Sequence, residues 1–228
     1  MRLTSIPAAA LTVGLTLTAT ATVAPAAVPR DDTGHERSAS APAPREAARP
    51  RIPRPPMMLG PGDAGVSDIG GQAQVRKSRS GYIYISGQQS NHLRVVYIEK
   101  RDALRFRDTR TPRVRPLPKG CEKEKVARGI SVVCAVPRRF EGRRSYVQVW
   151  PRLGDDYVDG RDLPGRFRLW VLADRGDDVV YGGDGADFVN GAKDDDRLYG
   201  GRGNDFLRSG PGADRVVGGA GRDRIGRS

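Results

Sequence analysis

The chain has 228 residues, with 39 Lys or Arg against 27 Asp or Glu and a formal net charge of +12. It has two histidines and two cysteines and neither an HExxH nor a GxSxG motif, which excludes the signatures of zinc metalloproteases and of α/β-hydrolase elbows. The charge is uneven: residues 173–228 carry eleven Asp, no Glu and nine Lys/Arg, whereas the remainder has a net charge of +14.

Residues 1–26 have the pattern of a secretory signal peptide. Arg2 supplies a basic start, an apolar stretch runs from Ile6 to Val23, and Ala24-Pro25-Ala26 fits a small-residue cleavage site. The apolar run is broken by Thr and is short for a membrane span. The sequence therefore predicts a secreted protein with no transmembrane span.

Residues 27–62 are rich in Pro, Ala and Arg. Large apolar residues are nearly absent there apart from Ile52 and the Met57-Met58-Leu59 stretch. Such a composition cannot bury a core, so a disordered spacer is predicted. His35 lies in this spacer and is not expected to bind a ligand.

Residues 63–153 read as short strands separated by turns. Several of these strands alternate apolar and polar residues, and successive strands are about ten residues apart. This pattern predicts an irregular all-β segment that caps or continues the domain after it. The candidate strands are Tyr82–Ser86, Leu93–Ile98, Leu104–Arg107, Ile130–Val136 and Ser145–Trp150.

Cys121 and Cys134 are the two cysteines of the chain. In an exported protein such a pair is most simply a disulfide. A metal site is the alternative, but no histidine lies near enough in the sequence to support it.

The C-terminal residues repeat with a period of nine. From Ala173 the chain reads ADRGDDVVY, GGDGADFVN, GAKDDDRLY, GGRGNDFLR, SGPGADRVV and GGAGRDRIG. Position 6 is always Asp, at Asp178, Asp187, Asp196, Asp205, Asp214 and Asp223. Position 8 is always aliphatic, at Val180, Val189, Leu198, Leu207, Val216 and Ile225. The alternative is a flexible linker, but a linker has no reason to keep an aliphatic residue at the same position of all six repeats.

The spacing predicts a turn followed by a short strand in each repeat. Glycines permit positive φ, so the turn carbonyls can converge, and the Asp adds a charged oxygen. Calcium takes six to eight oxygen ligands, more than one turn supplies, so two stacked turns are needed. Two repeats make one eighteen-residue coil, which gives an all-β parallel β-roll with aliphatic residues inside and calcium along both edges. A roll that has lost its metal is the alternative.

The two edges of the predicted roll differ in their glycines. Repeats 2, 4 and 6 form the even edge and keep the full set, including Gly183, Gly185, Gly201, Gly203, Gly219 and Gly221. Repeats 1, 3 and 5 form the odd edge, where Ala192 and Asp194 replace turn glycines. We therefore expect the even edge to bind calcium more tightly.

These repeats resemble the RTX, or haemolysin-type, calcium-binding repeats, whose nonapeptide is G-G-x-G-x-D-x-U-x. The resemblance covers about a quarter of the chain and implies a parallel β-roll, Ca²⁺ as cofactor, and folding coupled to calcium outside the cell. The family's aspartates carry over to the position-6 residues. A partial motif from Leu153 to Asp159 adds Asp156 and places the start of the roll near Gly154. The layout resembles exported calcium-binding proteins of high-GC Gram-positive bacteria, although this roll is less acidic than typical rolls.

No catalytic constellation is found, so a monomeric, non-enzymatic, calcium-binding protein is predicted. Its basic surface leaves an envelope adhesin that binds an anionic cell-wall polymer as the alternative, with a hydrolase less favoured; no specific nucleic-acid motif occurs. Outward aromatics are expected to stack between coils, Phe188 on Phe206 and Tyr181 on Tyr199. A carbohydrate platform is the other interpretation of these rings.

Overall fold

The computed structural model describes residues 69–226, so the predicted signal peptide, the spacer and His35 lie outside it. The strands are β1 Gln72–Lys77, β2 Gly81–Ile85, β3 His92–Ile98, β4 Ala103–Asp108, β5 Arg113–Val114, β6 Cys121–Glu124, β7 Ile130–Ala135, β8 Ser145–Leu153, β9 Tyr157–Asp159, β10 Phe167–Arg175, β11 Val179–Tyr181, β12 Phe188–Asn190, β13 Arg197–Arg202, β14 Phe206–Arg208, β15 Arg215–Ala220 and β16 Arg224–Gly226. Two short 3₁₀ helices span Glu99–Arg101 and Arg138–Phe140. Within residues 69–226 no helix is long and apolar enough to cross a membrane.

The strands form two eight-stranded sheets. Sheet one has the order β16-β14-β12-β10-β8-β2-β1-β5, and sheet two has the order β15-β13-β11-β9-β3-β4-β7-β6. The chain alternates between the two sheets from β8 onward, so each turn between them falls on one of two edges. This arrangement places the odd-edge turns on one side of the molecule and the even-edge turns on the other.

The C-terminal part is a parallel β-roll, as predicted. Strands one coil apart pair in parallel with an offset of eighteen residues, as in Val180 with Leu198 and Val189 with Leu207. All four of these position-8 side chains are fully buried between the sheets, whereas Ile225 of the last repeat, also predicted to be buried, is 48 % exposed. Burial of one such side chain contributes about 2 kcal/mol, so this single file of aliphatic residues is a narrow core.

The parallel stacking continues toward the N-terminus beyond Gly154. Strand β2 pairs in parallel with β8, and β3 pairs in parallel with β9. Strands β1, β4, β7 and β6 then extend the sheets through antiparallel pairs. The prediction that this segment continues the solenoid is therefore confirmed, and all five candidate strands are present.

The antiparallel extension has a thicker core than the roll. The rings of Tyr84 and Phe106 stack with centroids 5.7 Å apart, and both are completely buried. Cys121 and Cys134 form the predicted disulfide between directly opposed positions of β6 and β7. Strands β1, β5 and β6 were not predicted, because they are short or charged strands at or near the sheet margin.

Candidate metal centre

The aspartates of the odd edge form a continuous ladder. The backbone N–H of Asp156 donates to Oδ1 of Asp178 at 2.8 Å, and that of Asp178 donates to Oδ1 of Asp196 at 3.0 Å. The N–H of Asp196 donates in turn to Oδ1 of Asp214 at 3.0 Å. Each carboxylate thus ties its own turn to the turn one coil earlier.

The even edge repeats this arrangement with three aspartates. The N–H of Leu169 donates to Oδ1 of Asp187 at 2.8 Å, and that of Asp187 donates to Oδ1 of Asp205 at 2.8 Å. The N–H of Asp205 donates to Oδ1 of Asp223 at 3.0 Å. All seven predicted aspartates therefore lie on the two edges at equivalent positions.

The second carboxylate oxygen of most of these aspartates has no protein partner. Oδ2 is buried without a hydrogen bond in Asp156, Asp178, Asp196 and Asp205. In Asp187 this oxygen accepts a bond from the backbone N–H of Gly183 at 2.7 Å. A buried acceptor without a partner costs about 1–3 kcal/mol, and a charged one costs more. Four such oxygens in register along the two edges fit a ladder that a cation completes.

Burial also raises the pKa of the more deeply buried carboxyl groups of the two ladders. Removal from water raises the pKa of Asp178 to about 8 and the pKa values of Asp156, Asp196 and Asp205 to about 7. The pKa of Asp187 is raised well above its usual range for the same reason. Desolvation outweighs the backbone hydrogen bonds, which act in the opposite direction.

Backbone carbonyls must supply most ligands at a metal site built on these turns. Among residues 69–226 no three His, Cys, Asp or Glu side chains converge on one point. Calcium accepts carbonyl oxygens as readily as carboxylates, so a set with few side chains suits it better than it suits zinc.

Glycine is what allows the even-edge turns to stack so closely. Gly203 and Gly221 have φ of 122° and 140°, and a Cβ at either would overlap the carbonyl oxygen of the glycine one coil earlier. Gly201 and Gly219 also have positive φ, as predicted. Gly183 and Gly185 occupy the expected turn without positive φ.

The odd edge adopts the same left-handed backbone conformation at residues that are not glycine. Ala192 has φ 81° and Asp194 has φ 77°, both in the left-handed region that glycine favours. A residue with a Cβ pays roughly 1–2 kcal/mol there, less when it is Asp. The substitutions have therefore kept the turn and added strain.

One degenerate turn of the odd edge was not predicted. Ser86 to Asn91 stacks on the odd edge, and His92, Leu93 and Arg94 pair with Tyr157, Val158 and Asp159 as a repeat would. The N–H of Asn91 donates to Oδ1 of Asp156 at 2.6 Å, so Asn91 occupies the position-6 site. Gly87 and the aliphatic Leu93 are what remains of the nonapeptide signature there, so the signal in the sequence is weak.

The outward aromatic rings stack between coils, as predicted. Tyr181 and Tyr199 lie parallel with centroids 4.7 Å apart, and Phe188 lies 5.5 Å from Phe206. The guanidinium of Arg161 covers Tyr181. Because the facing surfaces of the tyrosine pair are occupied by each other and by an arginine, this arrangement favours cross-strand stacking over a carbohydrate platform.

A comparison with family models identifies the same region. The model for the RTX calcium-binding nonapeptide repeat (4 copies) matches residues 170–198 and 191–225. No curated protein and no solved structure matches the chain. The stacked turns, the two aspartate ladders and the family match agree: residues 170–225 are a region of RTX calcium-binding nonapeptide repeats folded as a parallel β-roll.

Proposed function

We propose that this is a secreted, monomeric, non-enzymatic protein whose roll binds calcium and folds on it. We further propose the division into a signal peptide at 1–26, a spacer at 27–62, a β segment at 63–153 and the roll at 154–228. The observation that carries the function is the set of buried, unpartnered Oδ2 atoms at Asp156, Asp178, Asp196 and Asp205.

Calcium, when bound, would supply positive charge and oxygen coordination at the stacked turns. The position-6 aspartates would hold it, together with carbonyl oxygens of the turns at Gly183, Gly185, Gly201, Gly203, Gly219 and Gly221. The chain's own contribution is to fix the turns: each Oδ1 holds the preceding coil, and each glycine lets two turns approach. Without a cation, buried carboxylates within one ladder repel each other and oppose stacking.

Binding free energy at such a site becomes folding free energy, because the ligands come together only when the coils stack. Extracellular calcium modules are tuned to about 10⁻⁴–10⁻³ M, far above cytosolic calcium. The roll would therefore stay open during export and close outside the cell. The same aspartates serve as rungs of the ladder, which supports a structural role for them rather than a catalytic one.

Circular dichroism of the full chain during a calcium titration tests this function. We expect a gain of β signal as calcium rises into the millimolar range, reversed by a chelator and not produced by magnesium. The variant Asp178→Asn/Asp205→Asn keeps both Oδ1 acceptors but lowers the site charge, and it should need more calcium. A spectrum that is unchanged by calcium and by chelator would overturn the proposal.

A second function is favoured by the charge of the other half of the molecule. Residues 69–153 hold 20 Lys/Arg against 6 Asp/Glu, a formal charge of +14, whereas residues 154–226 hold 11 against 15. Such separation attracts an anionic cell-wall polymer to one end. Co-sedimentation with purified cell wall at rising salt tests this, and absence of binding at low salt would contradict it.

A further inference from the structure

The outer face of sheet two carries a pocket of about 480 Å³ where β3, β4, β7 and β6 lie side by side. Its lining includes Arg94, Arg105, Arg107, Val96 and Val126. We propose that this pocket binds a phosphate group of a phosphodiester polymer. The inference rests on the second proposed function, polyanion binding, and is independent of calcium-coupled folding.

Three arginines of this pocket lie close together, at a cost to the pairing of the two strands. Arg94 lies directly opposite Arg107 across the antiparallel pair of β3 and β4. Like charges at directly opposed positions destabilise a sheet. Arg105 is two residues from Arg107 on the same face, so three guanidinium groups share one small area. A site that sets like charges together against local stability is suited to an anion.

Each guanidinium is held on one side by the protein. Arg105 donates from Nε and Nη2 to the two oxygens of Glu124, at 2.8 and 3.0 Å. Arg94 donates from Nε to Asp162 at 3.1 Å, and Arg107 donates from Nη1 to the carbonyl oxygen of Arg128 at 2.6 Å. A guanidinium has five N–H donors, so each retains others beyond these contacts.

These contacts prepare the site before a ligand arrives. Arginine side chains lose much conformational freedom on binding, and a side chain already fixed by a carboxylate or carbonyl loses less. The side chains of Val96 and Val126 supply apolar surface beside these donors. The arginines are therefore partly preorganised, by contacts that hold each guanidinium on one side.

The balance of charge points to an anion, and the geometry points to phosphate. Three arginines face two carboxylates, and residues 92–130 as a whole carry twelve Lys/Arg against five Asp/Glu. A planar carboxylate satisfies one guanidinium fork, whereas tetrahedral phosphate oxygens accept donors that come from several directions. Donors on two neighbouring strands match the second pattern.

Isothermal titration of the full chain in calcium, with poly(glycerol phosphate) and with glycerol 3-phosphate as probes, tests the site. We expect Arg107→Gln to weaken binding of the polymer about tenfold, as loss of a charge-assisted hydrogen bond does. Arg144→Gln is the matched control, since Arg144 is an exposed arginine of the same basic half. It should change the affinity about twofold or less, because it alters only long-range charge.

Val126→Trp fills the pocket without any change of charge and keeps the test decisive if Arg107→Gln does not fold. It should also weaken the polymer. Equal losses in Arg107→Gln and Arg144→Gln, or full affinity in Val126→Trp, would overturn the pocket while polyanion binding stands. Failure of the wild type to bind the polymer would overturn both.

The two probes distinguish the source of the phosphate group. We expect the polymer to bind more tightly than glycerol 3-phosphate. The reverse order would identify a free phosphate ester as the ligand and would overturn the polymer.

Discussion

The roll and the β segment before it share two sheets, yet they are stabilised differently. In the roll, strands β11, β12, β14 and β16 have three residues each, and one aliphatic side chain per half coil forms the core. In the β segment, longer strands enclose stacked aromatic rings, and a disulfide joins β6 to β7. Because the core of the roll is narrow, the stability of the roll depends more on its turns.

The two regions also differ in the hydrogen bonding of their buried carboxylates. Asp108 of the β segment is fully buried, and its Oδ2 accepts a hydrogen bond from the Tyr84 hydroxyl at 2.9 Å and lies 2.6 Å from the Thr111 hydroxyl. Asp178 of the roll is equally buried, but its Oδ2 has no partner. The protein satisfies both oxygens of a buried carboxylate in one region and leaves one oxygen without a protein partner in the other.

The largest expected difference is in the response to pH without calcium. Unfolded Asp titrates near pH 4, whereas burial raises the pKa values of Asp156, Asp178, Asp196 and Asp205 to about 7–8. The neutral forms favour folding, so their contribution is present below about pH 4 and is lost as pH rises through 7–8. Hydrogen exchange in calcium-free buffer should show a more protected roll at pH 5 than at pH 8, after correction for intrinsic rates.

The β segment is the internal control for this response. Hydrogen bonding from Arg105 lowers the pKa of Glu124, so its contribution is present at neutral pH and is lost on acidification below that range. Peptides from β4 and β7 should not gain protection at pH 5. A roll that becomes less protected on acidification would break the contrast between the two regions.

Removal of the disulfide should affect the β segment and spare the calcium sites. Cys121 and Cys134 are separated by 13 residues, and closing a loop of this size contributes about 3 kcal/mol in the chain-entropy model. Urea unfolding of Cys121→Ser/Cys134→Ser should show a loss of that order, with calcium affinity in the absence of urea unchanged. A matching loss of calcium affinity would mean that the two regions fold as one unit.

The two edges of the roll should differ by a smaller amount. Asp205→Asn and Asp196→Asn keep the Oδ1 acceptor of each ladder and remove one charge. We expect Asp205→Asn to lower calcium affinity about tenfold more, equivalent to about 1.4 kcal/mol, because its edge has the full glycine set. Calorimetric titration of both variants measures this, and a larger loss for Asp196→Asn would reverse the ranking of the edges.

The smallest effect is expected at Ala192, whose φ of 81° is left-handed. Ala192→Gly removes the Cβ strain but adds freedom to the unfolded chain, for a net gain of about 0.5–1 kcal/mol. The control Ala186→Gly changes an alanine outside the left-handed region and should lose stability. Thermal unfolding in calcium compares the two, and equal losses would show that Ala192 is not strained.

The regular part of the candidate site could be predicted because it repeats. A period of nine indicates which residues form turns and which form strands, so the stacking of Asp187 on Asp205 could be predicted without any long-range information. The turn at Ser86–Asn91 could not be predicted in this way, because Asn replaces Asp and the next coil follows more than fifty residues later. Only its register against Tyr157 identifies it.

The sequence by itself determined the period, the aspartate phase and the five main strands, since each depends on neighbours within one or two turns, and it predicted the disulfide because the chain has a single pair of cysteines. Tertiary structure alone decided which carboxylate oxygens are left without partners, that Ala192 adopts left-handed backbone, and that Arg94, Arg105 and Arg107 share one pocket. The physical reason is that burial, strain and charge proximity depend on the stacking of coils and the antiparallel insertion, which join residues far apart in the chain.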